Sequence, residues 1–115
     1  MSTERVTALL WDALRAIERC RRFASGRSFD DYLADDMLSS AVERQLEIVG
    51  ESLAALRRFD PILAASIPDL QRAVGFRNIL IHGYASIDHQ VVWEIVQLHL
   101  PKLEADLRNH MPPTS

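Results

Sequence analysis

The stretch Leu38-Ser39-Ser40-Ala41-Val42-Glu43-Arg44-Gln45-Leu46-Glu47-Ile48-Val49-Gly50-Glu51-Ser52-Leu53-Ala54-Ala55-Leu56 decides the fold class. Leu38, Val42, Leu46, Val49, Leu53 and Leu56 recur at three- and four-residue steps, the repeat of one face of an α-helix. The pattern stops near Asp60-Pro61, where Asp can cap and Pro suits the first position of a new helix. Upstream, Val6, Leu9, Leu10, Ala13, Leu14, Ile17 and Cys20 trace an earlier apolar stripe, with Gly26 as its end signal. Ser28 followed by Asp31 resembles a capping box for the segment between the two. Downstream, Ile62, Leu63 and Ala64 suggest a short helical turn before Pro68. A third main helix is expected from about Pro68-Asp69, with Leu70, Val74 and Ile81 on one side and Gly83 ending it. Ser86 or Asp88 can cap a last helix carrying Val92, Ile95, Val96, Leu100, Leu103 and Leu107, which Pro101 should kink. No segment alternates with period two. The expectation is an all-α helical bundle of four main helices plus short helical turns, with residues 1–111 as one domain and 112–115 as a flexible tail.

Hydrophobic residues make up 48% of the 115 and charged residues 25%, a balance that supports a packed core and argues against disorder. No apolar run nears the roughly 20 residues of a membrane span, and the start of the chain shows no signal-peptide pattern. The lone Cys20 lies on the apolar stripe, so it reads as a packing residue in a reducing, cytoplasmic setting. A net charge of −3 argues against sequence-blind coating of nucleic acid and leaves room for a small basic site. Arg15, Arg19, Arg21, Arg22 and Arg27 form one dense cluster, readable as a solvated helix C-terminus or as a phosphate-contacting patch.

Few residues could carry chemistry. His82, His89, His99 and His110 match no zinc-ligand spacing, so no metal and no cofactor is expected. Gly50 and Gly75 stand alone inside helical patterns and suggest close helix packing. Glu43, Glu47 and Glu51 recur every four residues, as a solvated helix face does. Arg77-Asn78-Ile79-Leu80-Ile81-His82-Gly83-Tyr84 is different. At roughly 100° per residue, Arg77 falls about 20° from Leu70 and so on the expected apolar stripe, where a guanidinium needs an anion or a cleft. His82 lies roughly 140° further round, so a straight helix does not aim the two at one point. The break at Gly83 or a second copy of the chain would have to bring them together. On these residues alone, a buried ion pair and a satisfied histidine account for the pattern more economically than catalysis.

A wider likeness shifts that balance. Arg77-x4-His82-x-Tyr84 resembles the signature of the HepT-like toxins of the HEPN (higher eukaryotes and prokaryotes nucleotide-binding) superfamily. The stretches Ala41–Glu51, Phe76–Asn78, Tyr84–Asp88, Val92–Val96 and Leu100–Leu103 also follow that family's pattern, and the likeness runs from about residue 5 to residue 107. The resemblance implies a HEPN-like bundle, a homodimer with the two motifs facing across a cleft, and metal-independent RNA cleavage. On that basis Arg77 is assigned to phosphate binding, His82 to acid–base work and Asn78 to a supporting polar role. It further implies a toxin–antitoxin pair in which a nucleotidyltransferase antitoxin adenylylates Tyr84. A non-catalytic HEPN module that binds nucleotides or a partner protein is the competing expectation.

Overall fold

A computed structural model describes residues 2–82 and 87–112; of Ser2, Thr3, Ile81 and His82 it describes only the backbone. Among these residues every regular element is helical: α1 (Ser2–Ala24), α2 (Phe29–Ala34), α3 (Asp36–Phe59), α4 (Pro61–Ala65), α5 (Leu70–His82), α6 (His89–Glu94) and α7 (Leu100–Arg108). A π-helical turn over Ile95–His99 joins α6 to α7, so the last three segments make one long irregular helix. The four main helices and short helical turns expected from the pattern are present.

The helix boundaries follow from local chemistry. Ser28 and Asp31 form the complete capping box of α2, each side chain bonding the other's backbone N–H at 3.0 and 2.9 Å. Asp35 caps α3 at Leu38 N, and Asp60 caps α4 at Leu63 N with Pro61 in the first turn. Asp88 caps α6, accepting from Gln90 N and Val91 N. Gly26 has φ +73°, the left-handed geometry that lets the chain turn away after α1. Gly83, the expected end signal of α5, and Ser86, the alternative to Asp88 as cap of the last helix, lie outside the described residues.

α1 and α3 form the spine. Cys20 Sγ reaches Val42 O at 3.9 Å, whereas Asp12 and Arg15 face Ile48 and Ser52, so the two run antiparallel. Leu10, Ala13, Ile17 and Cys20 on α1 and Val42, Leu46, Val49 and Leu53 on α3 are fully buried between them. Burial pushes the Cys20 thiol up to about 12, which makes it the packing residue its spacing indicated. α7 lies on the outer side of α1 and α5 on the outer side of α3. α5 also reaches the last helix, where Arg72 Nη1 meets the His99 ring at 2.9 Å.

Two expectations need correction. Pro101 does not simply kink the last helix. The turn before it widens, with Leu100 N–H bonded back to Ile95 O, and this places the proline in the first turn of α7, where its missing donor costs little. On α5 the buried stripe is Leu70, Ala73, Phe76 and Leu80, with Val74 only half-buried. Arg77 therefore sits at the stripe's edge, roughly 40° or more from its centre at about 100° per residue, where its head can reach solvent.

Candidate active site

The seam between α3 and α5 places Arg77. Gly50 on α3 makes the close approach possible: a Cβ built there would stand 2.7 Å from Arg77 Cβ and 3.3 Å from Ala73 O. Helix α5 thus rests on α3 at a point that only a glycine can offer. Gly75, which shares Gly50's sequence context, has open space around it, so the close packing expected of both holds for Gly50 alone.

The Arg77 side chain is 42% exposed, and its Nε lies 3.8 Å from Glu51 Oε1. That separation gives Coulomb attraction without a hydrogen bond. Arg77 Nε is itself cut off from solvent, and it has no hydrogen-bond partner among the described residues. Glu51 is 46% exposed. The guanidinium is therefore held near the surface beside a loosely placed carboxylate, with donor capacity to spare. A tightly paired structural arginine would have its donors matched.

Backbone geometry speaks to His82. α5 is helical from Leu70 through His82, so the backbone from Arg77 to His82 keeps helical spacing. The two Cα positions are separated by about 7.5 Å of rise and roughly 140° of rotation. The His82 side chain and all of Tyr84 lie outside the described residues. Asn78 is exposed, on the outward side of α5 next to the exposed Ile79. Among the described residues α5 packs chiefly on α3, which leaves this outward side open.

A second polar cluster went unread in the sequence. Tyr32 of α2 is fully buried, and its hydroxyl donates to Glu43 Oε2 at 2.8 Å. Burial, reinforced by the bond to Glu43, pushes the phenol upward from its ordinary range. His89, at the start of α6, brings Nδ1 to 3.7 Å from the same Glu43 oxygen and lies edge-on to the Tyr32 ring. Trp93 packs on the other part of that ring at 5.2 Å between centroids. This corner ties α2, α3 and α6 together. The signal available was the Tyr32–Glu43 pairing potential, which no helical spacing reveals.

The glutamate stripe of α3 is therefore no simple solvated face. Glu43 holds Tyr32, Glu47 meets Arg44 at 3.4 Å, and Glu51 faces Arg77. The arginine cluster divides as well. Arg21 bonds Glu104, Arg22 lies 3.6 Å from Glu18 and Arg27 lies 2.9 Å from Asp35. Arg15 stacks its guanidinium over Trp11 at 5.2 Å, and neither Arg15 nor Arg19 has an ion-pair partner among the described residues. Among the described residues no group of three or more His, Cys, Asp and Glu side chains is arranged to hold a metal ion. No helix there is long and apolar enough to cross a membrane.

Comparison with known proteins covers nearly the whole chain. The family model described as "Ribonuclease HepT-like" matches residues 13–109. A protein of Methanocaldococcus jannaschii, named provisionally as an RNase, is 33% identical over 109 residues, 93% of this chain and 97% of its own length. A protein of Thermococcus cleftensis named "Probable ribonuclease HepT" is 35% identical over 95 residues, 83% of this chain and 86% of its own. A Caldanaerobacter subterraneus protein, also named provisionally as an RNase, is 31% identical over 83 residues, 72% of this chain and 73% of its own. No solved structure gives a significant match.

Proposed function

The chain belongs to the HepT-like ribonuclease family, and from that footing we propose that it is a metal-independent RNA-cleaving toxin whose site is built on Arg77 and His82. The observation that carries the reading is the state of Arg77: a guanidinium fixed at the α3–α5 seam, half exposed, whose one ion-pair neighbour among the described residues is a carboxylate at 3.8 Å. Such a group is ready to exchange a weak partner for a phosphate, which offers paired oxygens.

The reaction consistent with these side chains is transfer within the substrate. The ribose 2′-oxygen attacks the adjacent phosphorus and the bond from phosphorus to the 5′-oxygen breaks. The products are a 2′,3′-cyclic phosphate and a free 5′-hydroxyl. One imidazole takes the proton from the 2′-hydroxyl and another returns a proton to the leaving oxygen, a contribution of about 10²–10⁴-fold. Arg77 binds the phosphate and stabilises the charge that builds on it. Asn78 supports the phosphate or the sugar from the open side of α5.

A single chain offers one His82, and helical spacing along α5 sets it roughly 140° around from Arg77. A symmetric homodimer resolves both points by setting two motifs across one cleft, and the open outward side of α5 is the surface available for it. Neutralisation follows from the same chemistry. A nucleotidyltransferase antitoxin would direct the Tyr84 hydroxyl onto the α-phosphorus of ATP, forming tyrosyl-AMP and releasing pyrophosphate. The added phosphate would compete with RNA for Arg77 and repel its backbone.

The test is cleavage of single-stranded RNA by the purified chain in excess chelator, with mass spectrometry of the product ends. Cyclic-phosphate ends that vanish in His82→Ala support the reading. Nucleotide binding without cleavage would replace it with the non-catalytic module. Light scattering that finds a monomer of about 13 kDa at micromolar concentration would remove the dimeric site. Intact-mass analysis after incubation with the partner and ATP checks the adenylate, and a modified Tyr84→Phe protein would overturn its assignment.

A further inference from the structure

We infer that the α1 face running from Arg19 through Arg15 to Trp11 is a subsite for single-stranded RNA, holding the nucleotides next to the cleaved phosphate. The inference rests on the ribonuclease reading above. Glu51 is the hinge of the argument, because it borders two things at once. It stands beside Arg77, and it also lines a groove of about 320 Å³ between α1 and α3 whose other wall carries Arg15 and Arg19 together with Asp12. The groove therefore shares Glu51 with the arginine proposed to bind the phosphate.

The same strip continues past Arg15. Arg15 borders a second groove, of about 390 Å³, between α1 and α7, lined also by Trp11, Glu18 and Arg108, the last paired with Glu104 at 3.4 Å. Trp11 is 50% exposed, an unusual state for so large an apolar ring, and Arg15 lies over it at 5.2 Å. Trp11, Arg15 and Arg19 stand at steps of four on one helix, so the three follow one side of α1 over about 12 Å. Two cations with no carboxylate partner among the described residues, followed by an exposed indole, make the pairing that single-stranded nucleic acid uses: charge for the backbone and a flat ring for a base.

Charge on neighbouring residues supports this choice of strip. Arg21 and Arg27 are hydrogen-bonded to Glu104 and Asp35, and Arg22 stands 3.6 Å from Glu18, so these three have carboxylate neighbours. Arg15 and Arg19 are the members left over.

Binding of an uncleavable 2′-O-methyl oligoribonucleotide of about twelve nucleotides, followed by anisotropy across a salt series, tests the strip apart from the chemistry. Single-stranded binding loses about 0.7 in logarithmic salt slope per phosphate released. Arg15→Gln/Arg19→Gln should therefore flatten the slope by about 1.4 while keeping both side-chain stems. Trp11→Ala should weaken binding about tenfold at unchanged slope, as loss of one stacked base does. Lys102→Ala, an exposed cation of α7 outside both grooves, should change neither quantity. An unchanged slope in the double variant, or full affinity in Trp11→Ala, overturns the inference. So does a change of light-scattering mass in either variant, which would make the face a contact between two copies. Normal strip-dependent binding with no cleavage of unmodified RNA would instead defeat the ribonuclease reading alone.

Discussion

Glu43 and Glu51 lie two turns apart on one helix and have opposite fates. Glu43 accepts a 2.8 Å hydrogen bond from a fully buried phenol and is only 20% exposed. Glu51 stands in the open, 3.8 Å from a guanidinium whose Nε has no hydrogen-bond partner among the described residues. The α2–α3–α6 corner has thus matched its phenol and carboxylate, and it does structural work. The α3–α5 seam leaves the half-exposed head of Arg77 with only a carboxylate at 3.8 Å, and its solvent-facing Nη donors are what a phosphate can bind. The contrast turns a shared residue type into two separable roles, and each can be broken without touching the other.

The largest effect should come from the seam. Arg77→Ala should lower kcat/KM for RNA by about 10²–10³, the usual loss when a group stabilising transition-state charge is removed. Arg77→Lys should recover little of it, because a point charge lacks the planar paired donors. Circular dichroism and thermal melts should barely change, since the arginine head is half exposed. A loss of folding that parallels the loss of activity would move Arg77 into the structural class with Glu43.

Two glycines sharpen the same point. Gly50→Ala puts a methyl where Arg77 Cβ stands, so α5 must shift, at a cost of about 1–3 kcal/mol for overpacking. Activity per folded molecule should fall as well, because the displaced element carries the arginine. Gly75→Ala meets nothing within 4 Å and should stabilise the helix by about 0.5–1 kcal/mol. Urea titrations beside initial rates measure both. Equal destabilisation by the two substitutions would mean that the close approach at Gly50 is unimportant.

At the other end of α3, Tyr32→Phe strips Glu43 of its donor and should cost about 1–3 kcal/mol, the penalty of an unmatched, mostly buried polar group. RNA cleavage per folded molecule should stay at the parent level. A drop in rate with no drop in stability would show that the corner acts on the site through α6.

The fold was legible because it depends on spacing. Leu38 to Leu56 and Val6 to Cys20 repeat at helical steps, and Ser28, Asp60 and Asp88 mark starts by side-chain chemistry that is local in the sequence. The phase of α5 was harder, since Ala73 is too small to announce a buried face and Val74 offered a false one. Arg77 was visible as an anomaly on a helix. Its neighbours were not: Glu51 and Gly50 meet it across 26 and 27 residues of chain, and no periodicity within one element encodes that meeting. Tyr32 was silent for the same reason, its partners lying on two other helices. The Gln45 Oε1 atom, buried and without a hydrogen-bond partner among the described residues, has no physical account in either pattern or packing.

The smallest effect is the most informative about the seam. Glu51→Gln removes the carboxylate charge at nearly constant shape. Both partners are nearly half exposed and 3.8 Å apart, so their attraction is in the range of about 0–1 kcal/mol measured for surface pairs. If Glu51 merely occupies Arg77 until a phosphate arrives, removing its charge should lower KM for RNA by up to about fivefold, since 1.4 kcal/mol is tenfold in affinity. The gain includes relief of repulsion between the carboxylate and the incoming backbone, and both contributions are screened. The advantage should therefore shrink as salt rises from 0.05 to about 0.5 M, over which the screening length falls below about 5 Å. kcat should not move. A kcat lowered tenfold, with KM unchanged, would show that Glu51 orients Arg77 instead of competing for it. The carboxylate would then be a positioning residue, and the two glutamates of α3 would differ in which group they fix and no longer in whether they fix one.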